Sequence, residues 1–207
     1  MTYTKDYMVD VPEGESGDWK VEKWDPRDEG LGLDFFNMRN PGREIPRDRV
    51  YTRLTRNGNV IMSDTPAEIR DHLSAILETR RWDDPKVLIH GLGLGMVANA
   101  CLMVGASHVT VIDKSEDVIK LVAPHWQEKW GEKLTIIQGD AYTWKPEKGK
   151  RWEVVWHDIW DNLCEDNLKL MEKLHRRFGR RCEWQDSWGK EQLKAKRRRR
   201  KRRGFRW

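Results

Sequence analysis

The stretch "VLIHGLGLGMVANA", residues 87–100, is the part of the sequence that decides the fold. An apolar run meets three glycines, Gly91, Gly93 and Gly95, and small and apolar residues follow them. Because glycine has no Cβ, a loop of this composition turns sharply and lets a ligand lie directly on the backbone. An apolar strand followed by such a loop is typical of sheets that bind nucleotide cofactors.

From residue 85 onward, strand patterns alternate with helix patterns. Strands separated by helices favour right-handed crossovers and a mostly parallel sheet. The sequence therefore predicts an α/β fold. The predicted strands are "KVLIHG" at 86–91, "HVTVID" at 108–113, "KLTIIQGD" at 133–140, "WEVVWHDIW" at 152–160 and, as a candidate fifth, "RCEWQDSW" at 181–188.

The segment before the glycine strand is predicted to form a β-hairpin and then a helix. In residues 50–64, Asn57-Gly58 supplies the positive φ angles that a tight two-residue turn needs. Asp64 and Thr65 offer side-chain oxygens that would cap the amphipathic helix beginning at Pro66. The polar residues 1–48 are expected to be largely irregular, with possible short strands such as "DWKVEKW", 18–24, no helix, and a turn at "GLGLD", 30–34.

These patterns predict three regions along the chain. Residues 1–65 form an N-terminal irregular segment and hairpin, residues 66–190 form a Rossmann-like cofactor-binding domain, and residues 191–207 form a basic disordered tail. No sequence is left for further strands after the fifth, so a shortened sheet is expected.

Two acids extend the predicted cofactor site. Asp113 ends the second strand, eighteen residues after Gly95, where a carboxylate can accept hydrogen bonds from ribose hydroxyls. Asp140 follows the third strand and would receive the adenine amine, with Ala141 beside the ring. The G-x-G-x-G spacing favours S-adenosylmethionine (AdoMet) over the G-x-G-x-x-G ligands NAD(P) and FAD. A purely structural glycine turn, and an ordinary Gly-Asp turn at residues 139–140, remain as alternatives.

These segments resemble class I AdoMet-dependent methyltransferases, most closely the spermidine synthase-like branch, over about residues 50–190. "VLIHGLGLG" is similar to the family's strand and glycine loop, "VTVIDKSEDVIKLV" to its second strand with the ribose acid, and "QGDAYTW" to its Gly-Asp segment. The resemblance implies a class I methyltransferase fold, AdoMet as cofactor, and methyl transfer to an unidentified acceptor.

Several positions differ from the spermidine synthase pattern. Leu94 replaces the acid of the glycine loop, no glutamine stands near Ile61–Met62, and Ala67-Glu68 keeps half of an Asp-Glu pair. In that family these groups handle the polyamine and the aminopropyl donor, so the resemblance implies methyl transfer first. Aminopropyl transfer from decarboxylated AdoMet is the alternative.

The candidate reaction centre is "HDIWDN", residues 157–162, after the fourth strand. Asp158 is the first candidate for the catalytic residue and Asp161 the second, because a carboxylate there would take a proton from the nucleophile or hold a cationic one in line. Alternatively, Asp161 caps the next helix, and His157 is structural. The six histidines are scattered without metal-ligand spacing, so no metal site is predicted.

The charge distribution is uneven along the chain. The net charge is +5, yet residues 194–207 hold ten Lys or Arg and no acid, which leaves 29 basic against 34 acidic residues elsewhere. A run of like charges is expected to be disordered when free and to bind nucleic-acid phosphates. A solvated terminus, and a non-catalytic AdoMet-binding module that docks on nucleic acid, are the alternatives.

The remaining expectations concern location and assembly. No long uncharged apolar run or secretory signal is present, and the three cysteines are far apart in sequence, so no membrane partner and a cytoplasmic location are expected. Homodimer formation is left open.

Overall fold

A computed structural model describes residues 5–204 and the side chains of residues 6–200. Its first sheet is antiparallel and has four strands in the order β1-β2-β3-β4. These strands are β1, Gly14–Ser16; β2, Trp19–Trp24; β3, Tyr51–Arg56; and β4, Asn59–Ser63, with helix α1, Leu31–Arg39, between β2 and β3.

The predicted hairpin is confirmed as β3 and β4. Its turn uses φ angles of 49° at Asn57 and 77° at Gly58. The hairpin is one half of a larger sheet, because β2 pairs along the full length of β3, from Trp19 opposite Arg56 to Trp24 opposite Tyr51. The possible short strand at "DWKVEKW" is confirmed as β2.

Helix α1 contradicts the turn predicted at residues 30–34 and the irregular structure predicted around it. Its apolar residues do not share one face: Leu33 is buried, whereas Leu31, Phe35, Phe36 and Met38 are exposed. Without a 3.6-residue apolar period, the sequence carried no signal for a helix here.

The second sheet contains five parallel strands in the order β7-β6-β5-β8-β9. This arrangement confirms the predicted α/β, Rossmann-like fold and the fifth strand. Its elements are α2, Pro66–Thr79; β5, Lys86–His90; α3, Met96–Met103; β6, His108–Asp113; α4, Glu116–Trp130; β7, Leu134–Gln138; β8, Trp152–His157; α5, Asn167–Phe178; β9, Cys182–Ser187; and α6, Lys190–Gly204.

The strand order reverses at β5, which pairs with β6 on one side and β8 on the other. Such a switch point opens a crevice at the carboxyl ends of the strands. The sheet beneath that crevice is packed by large side chains, among which Trp126, Trp152 and Trp156 are almost completely buried. Within residues 5–204, no helix has both the length and the apolarity that crossing a bilayer requires.

The start of helix α2 differs from the predicted cap. Thr65 stands at the N-cap but makes no side-chain cap hydrogen bond. Asp64 is committed elsewhere, because its carboxylate accepts hydrogen bonds from the N–H groups of Thr52, at 2.8 Å, and Val9, at 3.1 Å. Glu68 reaches back instead and accepts a hydrogen bond from the Ser63 N–H.

The segment predicted as a disordered tail continues as helix α6 as far as Gly204. Leu193 is buried with Leu168 and Met171 of α5, which fixes the first turn against the body. The side chain of Arg200 then pairs with Glu165 at 2.9 Å. The charge run alone did not reveal these two attachments. Residues 205–207 of the predicted tail lie outside the described range.

Candidate active site

A cavity of about 320 Å³ lies at the carboxyl ends of β5, β6, β7 and β8, where the strand order predicts a crevice. The loops after these four strands line it together with residues of β4 and α2. Of the predicted site residues, it brings together Gly91, Gly93, Asp113, Asp140, Ala141, Asp158 and Asp161.

Gly91 and Gly93 line the cavity, and each also has a close protein neighbour. Their φ angles are 97° and 51°. A Cβ at Gly91 would overlap the carbonyl oxygen of Asp158, and a Cβ at Gly93 would overlap the sulfur of Met62. That sulfur also accepts a hydrogen bond from the Leu94 N–H at 3.4 Å. Packing therefore requires both glycines, in addition to any requirement from a ligand.

Gly95 is not among the described residues that line the cavity. It is the N-cap of α3, with φ 73°, and a Cβ there would overlap the indole of Trp126. That indole donates a hydrogen bond to the Leu94 carbonyl oxygen at 2.8 Å. The structure therefore places Gly95 behind the loop, where it allows Trp126 to support the backbone.

Asp113 connects the glycine loop to β6. Its Oδ2 accepts a hydrogen bond from the Leu92 N–H at 2.7 Å, and its Oδ1 accepts one from the Ser115 N–H at 2.8 Å. Burial raises the pKa of the carboxyl, and these two bonds oppose the shift. A carboxylate has about four acceptor positions. Asp113 can thus accept further hydrogen bonds, such as those from ribose hydroxyls, on its cavity side.

Asp140 and Ala141 lie at the far end of the cavity, after β7. The Oδ1 of Asp140 accepts a hydrogen bond from the Tyr142 N–H at 2.6 Å, and its carbonyl oxygen accepts one from the Trp144 N–H at 2.7 Å. The ordinary turn proposed as an alternative is therefore present. It also holds Asp140 and Ala141 on the cavity wall.

Asp158 is the most perturbed acid of the site. Its side chain is 20 % exposed, and His72 Nε2 lies 3.7 Å from its Oδ2, beyond hydrogen-bond distance. Burial, and then the negative charges of Glu68, Asp71 and Asp113, raise its pKa to about 8. A carboxyl with such a pKa exchanges its proton near neutral pH, which suits a general acid or base.

Glu68 is a second perturbed acid, and it was not among the site residues predicted from the sequence. Burial raises the pKa of Glu68 to about 7, although the hydrogen bonds from Ser63 and the charge of Arg43 lower it. It lines the same cavity as Asp158. The half-retained Asp-Glu pair at Ala67-Glu68 was the only signal in the sequence that pointed to it.

Asp161 lies among the lining residues but is 51 % exposed, and its Oδ2 lies 3.6 Å from the guanidinium of Arg56. The structure thus separates the two candidate acids: Asp158 is enclosed, and Asp161 is at the solvent side.

Two buried histidines join the ends of β5 and β8 beneath the cavity. The Nδ1 atoms of His90 and His157 are 2.8 Å apart. His157 Nε2 lies 3.2 Å from the Gln185 side-chain oxygen, while the Gln185 amide nitrogen donates to the His175 carbonyl oxygen. His157 must then carry its proton on Nε2 and accept at Nδ1 from His90. The remaining His90 Nε2 is a buried acceptor without a partner in the described chain.

Burial lowers the pKa of His90 to about 3, and burial followed by the His90 charge lowers the pKa of His157 well below 6.5. Both rings stay neutral at physiological pH. The burial and the hydrogen-bond partners of His157 agree with its interpretation as a structural histidine.

Comparisons with known proteins concern the fold. The sequence matches no protein-family model and no curated protein. A candidate RNA methyltransferase from Pyrococcus horikoshii is 13% identical with a TM-score of 0.45, and the match covers 58% of each chain. The CcbJ methyltransferase from Streptomyces caelestis is 18% identical with a TM-score of 0.40, over 51% of this chain and 44% of that one. Magnesium protoporphyrin IX methyltransferase from Synechocystis PCC 6803, with bound SAH, is 18% identical with a TM-score of 0.39, over 52% of both chains.

The chain thus spans 58% of the length of the first of these structures, and 44% and 52% of the other two. At these identities and TM-scores, no property of these proteins is assigned to this chain.

We predict that the free energy of unfolding has a maximum between about pH 6 and 7. Below their ordinary pKa, His72, His90 and His157 gain protons on unfolding, because burial lowers their native pKa, so stability falls with acid. Glu68 and Asp158 lose protons on unfolding up to about pH 7 and 8, so stability falls with alkali. Each group contributes at most about 1.4 kcal/mol per pH unit. Urea unfolding from pH 5 to 9 measures this profile.

The matched variant is Glu68→Gln, which keeps an oxygen for the Ser63 N–H and removes the titrating carboxyl. Glu68 lowers the stability as the pH rises from about 4.5 to about 7, so the variant should gain stability more steeply between pH 5 and 6.5 and reach its maximum at a higher pH. A wild-type profile that is flat over the whole range, or a variant with the wild-type slope between pH 5 and 6.5, would contradict the assignment.

We predict that Gly95→Ala destabilises the protein by about 2–4 kcal/mol, through the left-handed φ and through the overlap with Trp126. Gly58→Ala is the control, because its φ is also positive, at 77°, and a Cβ there meets open space. It should cost about 1–2 kcal/mol, the strain alone. Chemical denaturation of both variants gives the comparison, and equal losses would show that Trp126 does not press on Gly95.

Proposed function

We propose that this chain is an AdoMet-dependent methyltransferase in which Asp158 is the proton acceptor. The observation that carries the proposal is that one cavity holds the glycine loop, the acids after β6 and β7, and a carboxyl of raised pKa after β8. The first three features suit an adenosine, and the fourth suits a proton transfer next to it.

The residues present fit the cofactor. Asp113 has acceptor capacity left for ribose hydroxyls, and Asp140 and Ala141 form the wall that would contact the adenine. Gly91 and Gly93 supply backbone without side chains at the other end. When bound, AdoMet supplies a methyl group activated by its sulfonium.

Asp158 determines the proton chemistry at that end. Transfer would form a bond from the acceptor's amine or hydroxyl to the methyl carbon and break the bond from that carbon to the sulfonium, which would leave as a neutral thioether. The Asp158 carboxylate would take the proton that the acceptor loses. With a pKa of about 8, the free site holds Asp158 mostly protonated at pH 7. A cation close to the carboxylate lowers that pKa and returns the group to its reactive form.

Two other functions make distinct predictions. An aminopropyltransferase of the spermidine synthase-like branch would bind decarboxylated AdoMet more tightly than AdoMet. A non-catalytic module would bind AdoMet and never consume it. Glu68 and Asp158 are the observation that favours testing the aminopropyltransferase, because two acids in one cavity could hold the cationic amine of a polyamine acceptor.

We predict that AdoMet at a hundred times its dissociation constant stabilises the protein by about 2.7 kcal/mol. Thermal shifts would be measured with AdoMet, its demethylated product, decarboxylated AdoMet, methylthioadenosine and NAD. Asp113→Asn should weaken AdoMet binding at least about tenfold, since an amide replaces one ribose acceptor by a donor. Glu116→Gln, at an exposed acid of α4, is the control and should bind as wild type.

The unliganded melting temperature of Asp113→Asn, taken in the same run, shows whether the loop still folds. A larger shift with NAD would overturn the assignment of the cofactor. A larger shift with decarboxylated AdoMet would instead favour aminopropyl transfer.

We predict that Asp158→Asn lowers methyl transfer by about 100-fold or more and retains AdoMet binding. Transfer of tritium from methyl-labelled AdoMet into a cell extract measures the activity without a known acceptor. Asp83→Asn, in the exposed loop before β5, is the control and should be as active as wild type. Equal transfer by wild type and Asp158→Asn would refute the role of Asp158, and a loss confined to Asp161→Asn would move that role to Asp161.

A further inference from the structure

Helix α6 has first turns, residues 190–193, that are attached to the body, and outer turns, residues 196–204, that consist almost entirely of Lys and Arg. The buried Leu193 and the Gln192 side chain, whose amide nitrogen lies 3.4 Å from Asp71 Oδ1, hold the first part. Lys190 forms an ion pair with Asp186. These contacts hold the first turns of α6 in place on the body.

The acids within reach of α6 are already used. Glu191 pairs with Lys194 at 2.7 Å and lies 3.9 Å from Arg198, and Glu165 pairs with Arg200. Among the side chains at residues 6–200, no acid pairs with Lys196, Arg197 or Arg199. The helix therefore carries cations that its own fold does not neutralise.

Like charges also follow one another at helical spacing. Lys196 and Arg200 are four residues apart, and the sequence repeats this relation at 197 and 201, 198 and 202, and 199 and 203. Cations at this spacing lie next to each other on a helix and destabilise it. The outer turns of α6 would gain stability from a polyanion that neutralises several of these charges together.

The composition of α6 indicates the kind of polyanion. A membrane-surface helix needs an apolar face, and after Leu193 the only apolar residue before Gly204 is Ala195. Duplex nucleic acid presents one negative charge per about 1.7 Å of axis, which matches a dense row of arginines. Outside residues 194–207 the chain has 34 acidic against 29 basic residues, so its net charge there disfavours contact with a polyanion.

We propose that α6 binds the phosphate backbone of nucleic acid without sequence specificity, and that this contact holds its outer turns helical. The proposal concerns a surface outside the cavity and does not depend on the identity of the cofactor. Its arginines contact phosphates and read no bases, so affinity depends on salt and little on sequence.

The test is fluorescence anisotropy with the full chain, a labelled 20-base-pair DNA duplex and a 20-nucleotide RNA, from 50 to 300 mM salt. The triple variant K196Q/R197Q/R199Q should bind at least about tenfold more weakly at 100 mM salt. On the duplex, the slope of log K against log salt should be shallower by up to about 2.7, that is, about 0.9 for each phosphate that the variant no longer neutralises.

The matched control is K145Q/K148Q/K150Q, which removes the same charge from the exposed segment between β7 and β8. It should bind within about twofold of wild type. Equal weakening by both triple variants would mean that net charge alone is responsible and would overturn the proposal.

Two further measurements compare other polyanions with nucleic acid and test whether binding stabilises the outer turns of α6. Phosphatidylserine vesicles and polyglutamate should bind more weakly than either nucleic acid, and tighter binding of one of them would overturn the assignment. Amide hydrogen exchange at residues 196–204 should slow when the duplex is added to wild type. Unchanged exchange with the duplex bound would refute the coupling of helix formation to binding.

Discussion

The close approach of the loops after β5 and β8 is the contact on which the site depends. The carbonyl oxygen of Asp158 occupies the place where a Cβ of Gly91 would stand, so these two strand ends meet without a side chain between them. Immediately beneath, the neutral His90–His157 pair joins the same two strands. The Asp158 N–H donates to the His90 carbonyl oxygen at 2.8 Å, which fixes the carboxyl above the sheet. The raised pKa of Asp158 follows from this placement, because it encloses the carboxyl in the cavity near Glu68, Asp71 and Asp113.

Burial makes the charged form of each titratable group in the site unfavourable, and the charged forms appear at different pH for the histidines and for the carboxyls. His72, His90 and His157 would be charged in acid, and Glu68 and Asp158 in alkali. Neither charge is well solvated in this part of the fold. Near neutrality most of these groups are uncharged, so the close arrangement of polar side chains is tolerated. A cationic ligand reverses the argument for the carboxyls, because it makes their ionised form the favourable one.

The sequence predicted the parts of the fold that have a local pattern. The parallel strands are short apolar runs, the hairpin has Asn57-Gly58 at its turn, and the glycine loop and Asp113 follow from spacing. The acids after β7 and β8 were also assigned to the right edge of the sheet, because parallel strands end together there. Helix α1 was missed, because its apolar residues lie on several faces.

The parts of the site that depend on tertiary contacts could not be predicted in this way. Met62 covers Gly93, Glu68 faces Asp158, and His90 contacts His157 over a separation of 67 residues. No periodicity encodes such pairs. Gly95 shows the converse, since its place in the glycine pattern suggested a ligand, whereas its neighbour is Trp126.

Asp71 connects the two functional surfaces electrostatically. Both oxygens of its carboxylate accept hydrogen bonds from Arg43, at 2.9 and 2.8 Å, and Gln192 of α6 approaches one of them. The charge of Asp71 raises the pKa of Asp158, and that of Arg43 lowers the pKa of Glu68. Any movement of α6 that drew Gln192 away would change the surroundings of Asp71, and through it the charge balance felt by Asp158. Asp71 therefore contacts the basic helix through the Gln192 amide and influences the cavity through its charge, although the proposed ligands of the two surfaces would carry opposite charge.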